Sequence, residues 1–355
     1  NQKKEKKSIH FTEPVYSEMS EDHTINMAWN NVTNAAANNA VQQVIASNSG
    51  LTTIAPTWFS LADTEGNISS IADADYVNYA HTAGLEVWAV FRDFHGGTNS
   101  YDETYETLRY TSKRAKLEDQ VVAAAVAAGV DGINLDFELI SSKCGVHYVQ
   151  LVRELSVKCH QNNLVFSVDN YVPQSYNSHY DLKEQGIVAD YVVIMAYDEH
   201  TEGSYEAGSV ASISYLQDGI EKTLKKVSAD KVIAGIPFFT RLWFETAKSP
   251  EQLSEEAGTE AASYPNKVSS KALGMEEAAQ SVVNAGATAQ WDEKTQQNYA
   301  KWSADGGTYR IWLEDAQSLE AKLKVIQGSK LAGVAEWSLG REESSVWKLI
   351  SQYVN

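Results

Sequence analysis

Residues Asp131–Glu138 read D-G-I-N-L-D-F-E, an apolar stretch with polar groups at every second position. Successive side chains on a strand point to opposite faces. If this stretch is a strand, Asn134, Asp136 and Glu138 therefore share one face and Ile133, Leu135 and Phe137 the other. An amide and two carboxyl groups turned into a protein interior cost stability unless something uses them. Two residues apart on one face, Asp136 and Glu138 have Cα atoms about 6.5–7 Å apart. A charged Asp136 would then raise the pKa of Glu138 and keep it protonated as a general acid. The plainer alternative is a strand end with solvated carboxylates.

Further groups fall at the ends of other strand-like runs. Tyr191–Asp198 reads Y-V-V-I-M-A-Y-D, so Met195 and Tyr197 share a face and Asp198 opens the following loop. Gly333–Trp337 ends in an indole, whose flat face can floor a sugar ring. Alternatively, Met195 and Trp337 are core residues and Tyr197 lies on the rim. The Asp198-Glu199-His200 triplet invites a metal or triad reading, but adjacent side chains diverge and no GxSxG elbow occurs. The eight His lie without metal-ligand spacing, so neither metal nor cofactor is expected.

These residues need a scaffold that gathers strand ends. Strand-like runs occur at Ile25–Trp29, Leu51–Phe59, Glu86–Arg92, Asp131–Phe137, Leu164–Asp169, Tyr191–Ala196, Lys231–Phe239 and Leu331–Trp337. Most are followed by a helical pattern: Thr33–Ser47, Ala72–Ala83, Thr111–Ala128 with Gly129 as its C-cap, Gly145–Gln161, Ser212–Lys226, Ala316–Gln327 and Ser344–Tyr353. A helix or turn falls near Asp181–Gln185. Several strands are continuous apolar runs, the mark of parallel strands covered on both faces. Eight β/α units predict a (β/α)8 TIM barrel, with active groups at the C-terminal strand ends. The rhythm breaks once, over Thr240–Asp315, between the seventh strand and its helix. A helix over Met275–Asn284 and short strands over Ala289–Trp291, Gln297–Trp302 and Thr308–Leu313 predict a small α+β insertion there. Its aromatic residues Trp291, Tyr299, Trp302, Tyr309 and Trp312 are expected to pack that sheet on the barrel.

The formal net charge is −18, although residues 1–7 are net basic. Such an acidic body argues against nucleic acid and other polyanions as partners. Residues 1–22 form a polar arm, expected to be partly disordered or to be the stub of a lost anchor, and 23–355 the catalytic domain. The chain opens on Asn1 and is read as a mature or truncated form. Its longest apolar run, 121–130, is too short to span a bilayer. Cys144 and Cys159 fall in one expected helix, where ~1.5 Å per residue puts them ~22 Å apart. They are therefore free thiols and leave the compartment open.

Taken together, these segments resemble glycoside hydrolase family 18, the chitinase family. Asp131–Glu138 is similar to its DGxDxDxE signature, Met195–Asp198 to its MxYD strand, and Trp337 to its last-strand Trp, on strands four, six and eight. The match is nearer to the bacterial spore-cortex-lytic branch, which cleaves peptidoglycan. Supporting segments are Met195–Ser214, Gly235–Trp243, Lys267–Ala278 and Gly333–Gly340, and the resemblance spans 23–353. Chitinases usually carry Asp where this chain has Asn134; the spore-type branch tends to have Asn there and Phe before the Glu, as at Phe137.

The resemblance implies substrate-assisted retaining hydrolysis of N-acetylglucosamine (GlcNAc) polymers, most nearly peptidoglycan, with chitin or N-glycans as the alternative substrates. It implies Glu138 as acid, Asp136 as orienter, Tyr197 and Asp198 as positioners of the substrate acetamido group, and Asn134, Met195 and Trp337 as binding residues, Asn134 by fixing Asp136. A monomer acting outside the cell, at the wall or spore, follows. A reading of another class is a lectin on the same barrel, disfavoured because Glu138 is present.

Overall fold

The first strand, β1 (Ile25–Asn30), is buried along its whole length, which requires cover on both faces. The computed structural model describes residues 19–46 and 48–354, so most of the expected polar arm lies outside the described residues. In chain order the strands after β1 are β2 (Thr53–Pro56), β3 (Phe59–Leu61), β4 (Ile68–Ser70), β5 (Glu86–Arg92), β6 (Gly132–Asp136), β7 (Val165–Tyr171), β8 (Tyr191–Met195) and β9 (Val232–Pro237). They continue as β10 (Phe239–Ala247), β11 (Asn266–Gly274), β12 (Gln290–Asp292), β13 (Gln297–Ala304), β14 (Gly307–Leu313) and β15 (Gly333–Trp337).

Eight of these close into a parallel barrel. The ladder runs β2, β1, β15, β9, β8, β7, β6, β5, and β5 returns to β2 through Thr53↔Glu86 and Ile54↔Val87. Two apolar layers follow. Met27, Trp88, Val90, Val193, Ile233 and Ala335 fill the barrel interior, while Ile54, Val87, Leu135, Phe166, Ile194 and Val334 face out under the helices. The TIM barrel expected from the sequence is the fold observed.

Local departures have local causes. The expected second strand, Leu51–Phe59, divides at Pro56, which has no N–H to give a ladder. Beyond it, β3 pairs with β5 and with the antiparallel β4. The expected helix from Thr33 opens as a 3-10 turn, Ala35–Ala40, before an α-helix over Val41–Ala46. Asn38 leaves helical service there, bonding Trp58 Nε1 and the Ile71 carbonyl. A helix at Tyr101–Leu108, capped by Ser100, was not expected because its sequence is almost wholly polar. Gly129 does cap the helix Thr111–Ala128, at φ 78°.

The insertion is a sheet ordered β11-β10-β14-β13-β12 with the helix Met275–Asn284. Two of its strands escape sequence reading. One, β10, follows β9 after a single residue and looks like its continuation. The other, β11, is largely exposed and polar, without a buried face to mark it. Cys144 and Cys159 are free and buried. No helix among the described residues is long and apolar enough to cross a membrane.

Candidate active site

At the C-terminal mouth of the barrel lies a pocket of about 200 Å³. Its wall contains Asp136, Glu138, Met195, Tyr197, Asp198 and Trp337, six of the seven residues singled out from the sequence. The seventh, Asn134, is fully buried one step below Asp136 on β6.

Alternation along β6 places these groups. Asn134 Oδ1 accepts from Trp29 Nε1 at 3.0 Å, and its amide donates to Ser167 Oγ and Asp169 Oδ1, each at 2.8 Å. Asn134 thus ties three strands together with every amide atom engaged. Its expected bond to Asp136 is not made, because both N–H groups already go to β7. Asp136, nearly sealed from solvent, keeps Oδ1 without a hydrogen-bond partner among the described residues. Burial first, then the charges of Glu138, Asp169 and Asp93, holds the Asp136 carboxyl well above the usual range, against the opposing pull of Arg92.

Glu138 stands past the end of β6, half-buried at the mouth. Tyr171 Oη donates to its Oε2 at 2.6 Å. Burial raises the Glu138 pKa most; the Tyr171 bond works the other way, and Asp198 adds to the rise. The backbone behind Glu138 is pinned. Asp93 accepts the N–H of Glu138 at 2.9 Å and that of Leu139 at 3.0 Å, and Tyr180 Oη donates to the Phe137 carbonyl at 3.1 Å. Asp93 is itself fixed by Thr104 Oγ1 at 3.1 Å. Burial pushes its carboxyl up to about 7 despite the two N–H bonds.

The opposite wall is aromatic. Trp29 meets Tyr197 edge-on at 6.5 Å and lies tilted against Trp337 at 6.0 Å. Phe239 meets the Tyr197 ring at 6.1 Å. Gly235 makes room for that ring: a Cβ there would stand 2.8 Å from the Ile194 carbonyl oxygen and 3.3 Å from Tyr197 Cε1. Asp198 sits in the left-handed region at φ 58°, which turns the chain out of β8. Its carboxyl is raised by burial and eased by Arg241.

Sequence reading missed Trp29, Arg92, Asp169 and Tyr171 in this pocket, and Asp93 beneath its rim. One signal was available. In β7 the alternate residues Ser167, Asp169 and Tyr171 repeat the polar row that marks β6.

A family model for glycosyl hydrolases family 18 matches residues 94–342, well over half the chain. The chain belongs to that family. It is therefore a glycoside hydrolase, and its Asp131–Glu138 and Met195–Asp198 segments lie inside the matched region. Among relatives, the "Uncharacterized glycosylase YvbX" of Bacillus subtilis is 26% identical over 295 residues, covering 80% of each chain. The "Cortical fragment-lytic enzyme" of the same organism is 27% identical over 256 residues, covering 69% of this chain and 54% of that one. This chain thus spans about half the length of the latter. The barrel superposes on a chitinase from Chromobacterium violaceum with a TM-score of 0.76 at 21% identity, covering 93% of this chain and 98% of the other. That likeness speaks to the fold.

Proposed function

We propose that the enzyme hydrolyses the β-1,4 bond following GlcNAc in peptidoglycan, with retention and with the substrate's own acetamido group as nucleophile. The observation that carries this reading is the unpartnered Oδ1 of Asp136, an acceptor buried in the pocket beside Glu138. A buried acceptor without a donor costs about 1–3 kcal/mol, and an acetamido N–H supplies the donor.

In this scheme Glu138, kept protonated by burial, gives its proton to the glycosidic oxygen as the C1–O bond breaks. The acetamido oxygen bonds to C1, forming an oxazolinium ion. Asp136 accepts the acetamido N–H at Oδ1, and the cation forming beside it works against burial, favouring the carboxylate that offsets the positive charge. Tyr197, with Asp198 beside it, orients the acetamido oxygen. Glu138, now ionised, takes a proton from water, whose oxygen opens the ring at C1 and restores the acid. The carboxylate nucleophile of the two-carboxylate scheme is not required. Met195 and the Trp337 indole pack the sugar in the pocket. Asn134 acts from beneath by holding Trp29 and Asp169 in register.

Peptidoglycan is favoured over chitin by the branch resemblance and by the likeness to the cortical fragment-lytic enzyme of Bacillus subtilis. On this reading the chain works outside the cell, at the wall or spore, as a monomer, with residues 23–355 as the catalytic domain. The test is digestion of purified peptidoglycan followed by mass spectrometry of the new reducing ends. GlcNAc ends support the proposal. Ends carrying N-acetylmuramic acid (MurNAc), or cleavage of chitin oligomers alone, refute it. A substrate with hydroxyl in place of the 2-acetamido group must not turn over.

A further inference from the structure

Arg92 is a cationic pocket residue that the hydrolytic chemistry above does not use. It ends β5, directly across the ladder from Asp136, and its side chain lines the pocket. Its Nε is buried with no hydrogen-bond partner among the described residues, and its interaction with the Asp136 carboxylate acts through space. The guanidinium rests 5.6 Å from the Phe94 ring centre. Burial lowers the Arg92 pKa and the Asp136 carboxyl opposes it. Beside it, His95 is exposed at the mouth, held in the left-handed region at φ 57° and near enough to feel the Arg92 charge. The pocket therefore has an acidic side, Asp136–Glu138–Asp198, and a cation at its edge, Arg92, with the His95 imidazole beside it, in a chain of net charge −18.

A guanidinium presents a planar fork of donors that fits a carboxylate with two parallel N–H···O bonds. A neutral GlcNAc polymer offers such a fork only single, uncharged hydroxyl and carbonyl acceptors; a sugar bearing a carboxylate offers the matching anionic pair. We infer that Arg92, assisted by His95, is a specificity-determining residue that binds a carboxylate carried on the saccharide next to the reacting GlcNAc. This inference rests on the peptidoglycan reading and deepens it. Two sources of that carboxylate exist in peptidoglycan: the lactyl ether of MurNAc freed of peptide, and the acidic groups of the stem peptide.

The test compares kcat/KM on four substrates: amidase-stripped glycan strands with free lactyl carboxylates, the same strands amidated with carbodiimide and ammonia, peptide-bearing strands, and chitin oligomers. The wild-type enzyme is expected to prefer a carboxylate-bearing strand over the amidated one by about tenfold or more. Preference for stripped strands identifies the lactyl group, and preference for peptide-bearing strands the stem peptide. Arg92→Gln is expected to lower kcat/KM on the preferred strand at least tenfold more than on chitin oligomers, with Arg92→Lys recovering part of the difference. Equal wild-type rates on charged and amidated strands, or equal proportional losses in Arg92→Gln, overturn the assignment while leaving peptidoglycan hydrolysis standing. The wild-type comparison needs no variant to fold. Cleavage of chitin oligomers with no cleavage of any strand overturns the peptidoglycan reading itself, and this inference with it.

Discussion

The carboxylate of Asp93, closed off from solvent, accepts the backbone N–H of Glu138 at 2.9 Å and of Leu139 at 3.0 Å. The residue preceding Phe94 on the loop after β5 thus fixes the main chain that carries the candidate acid just past β6. An Asn at this position offers one oxygen where two are used. Asp93→Asn is expected to leave one N–H unpaired, lowering stability by about 1–3 kcal/mol. The freed loop should cost kcat about tenfold or more, roughly 1.4 kcal/mol of barrier, with KM little changed. Steady-state kinetics with a urea titration checks both, and an unchanged kcat would show that the loop holds Glu138 without Asp93.

Tyr171 Oη meets Glu138 Oε2 at 2.6 Å. This bond favours the charged acid and opposes the rise caused by burial. Tyr171→Phe should therefore raise the Glu138 pKa further. The alkaline limb of kcat/KM, where the acid loses its proton, should move to higher pH. A pH–rate profile reads this directly; movement toward lower pH would contradict the assigned direction.

Loss of the proposed acid should be severe. Glu138→Gln keeps the shape and can still accept from Tyr171, but cannot give a proton to the leaving oxygen. A fall in kcat of about 10²-fold to 10⁴-fold is expected, with near-normal circular dichroism. Asp136→Asn should also depress kcat, because its amide cannot stabilise the positive oxazolinium ion. Near wild-type turnover in either variant would remove that residue from the mechanism.

Stability should fall as pH rises through the neutral range. Burial, the first cause in each case, raises Glu86 and Asp93 to about 7, and Glu118 and Asp169 to about 8. The unfolded chain releases these protons near pH 4, whereas the folded one holds them to pH 7–8. Between those limits the native state binds more protons, so the unfolding free energy decreases with pH. Urea midpoints at pH 5.5 and pH 8.5 should differ, the higher at pH 5.5. The opposite order would mean that these carboxyls ionise readily inside the fold.

Much of this was legible because the barrel writes its pattern in short apolar strands. The row Asn134–Asp136–Glu138 stood out since polar residues interrupt an otherwise buried strand, and Met195–Asp198 and Trp337 fell at the ends of clear runs. The residues missed were hidden in different ways. Trp29 and Tyr171 look like ordinary aromatic residues at strand ends, and Arg92 like a solvated charge. Asp169 was counted as the close of a strand that in fact continues to Tyr171. What Asn134 holds could not be read at all, because its partners Trp29, Ser167 and Asp169 are distant in sequence. Only strand register, Asn134↔Ser167 among the pairs, brings them together.

One residue, Phe238, separates β9 from β10, and it is fully buried. Farther along β10, Trp243 is sealed and donates its indole N–H to the Gly208 carbonyl at 2.9 Å, in the loop that follows β8. The small sheet is thus anchored to the barrel at its root and again along its length. Tied down at two points, it can move only with the barrel, so that flank of the C-terminal face keeps one shape whether or not substrate is present.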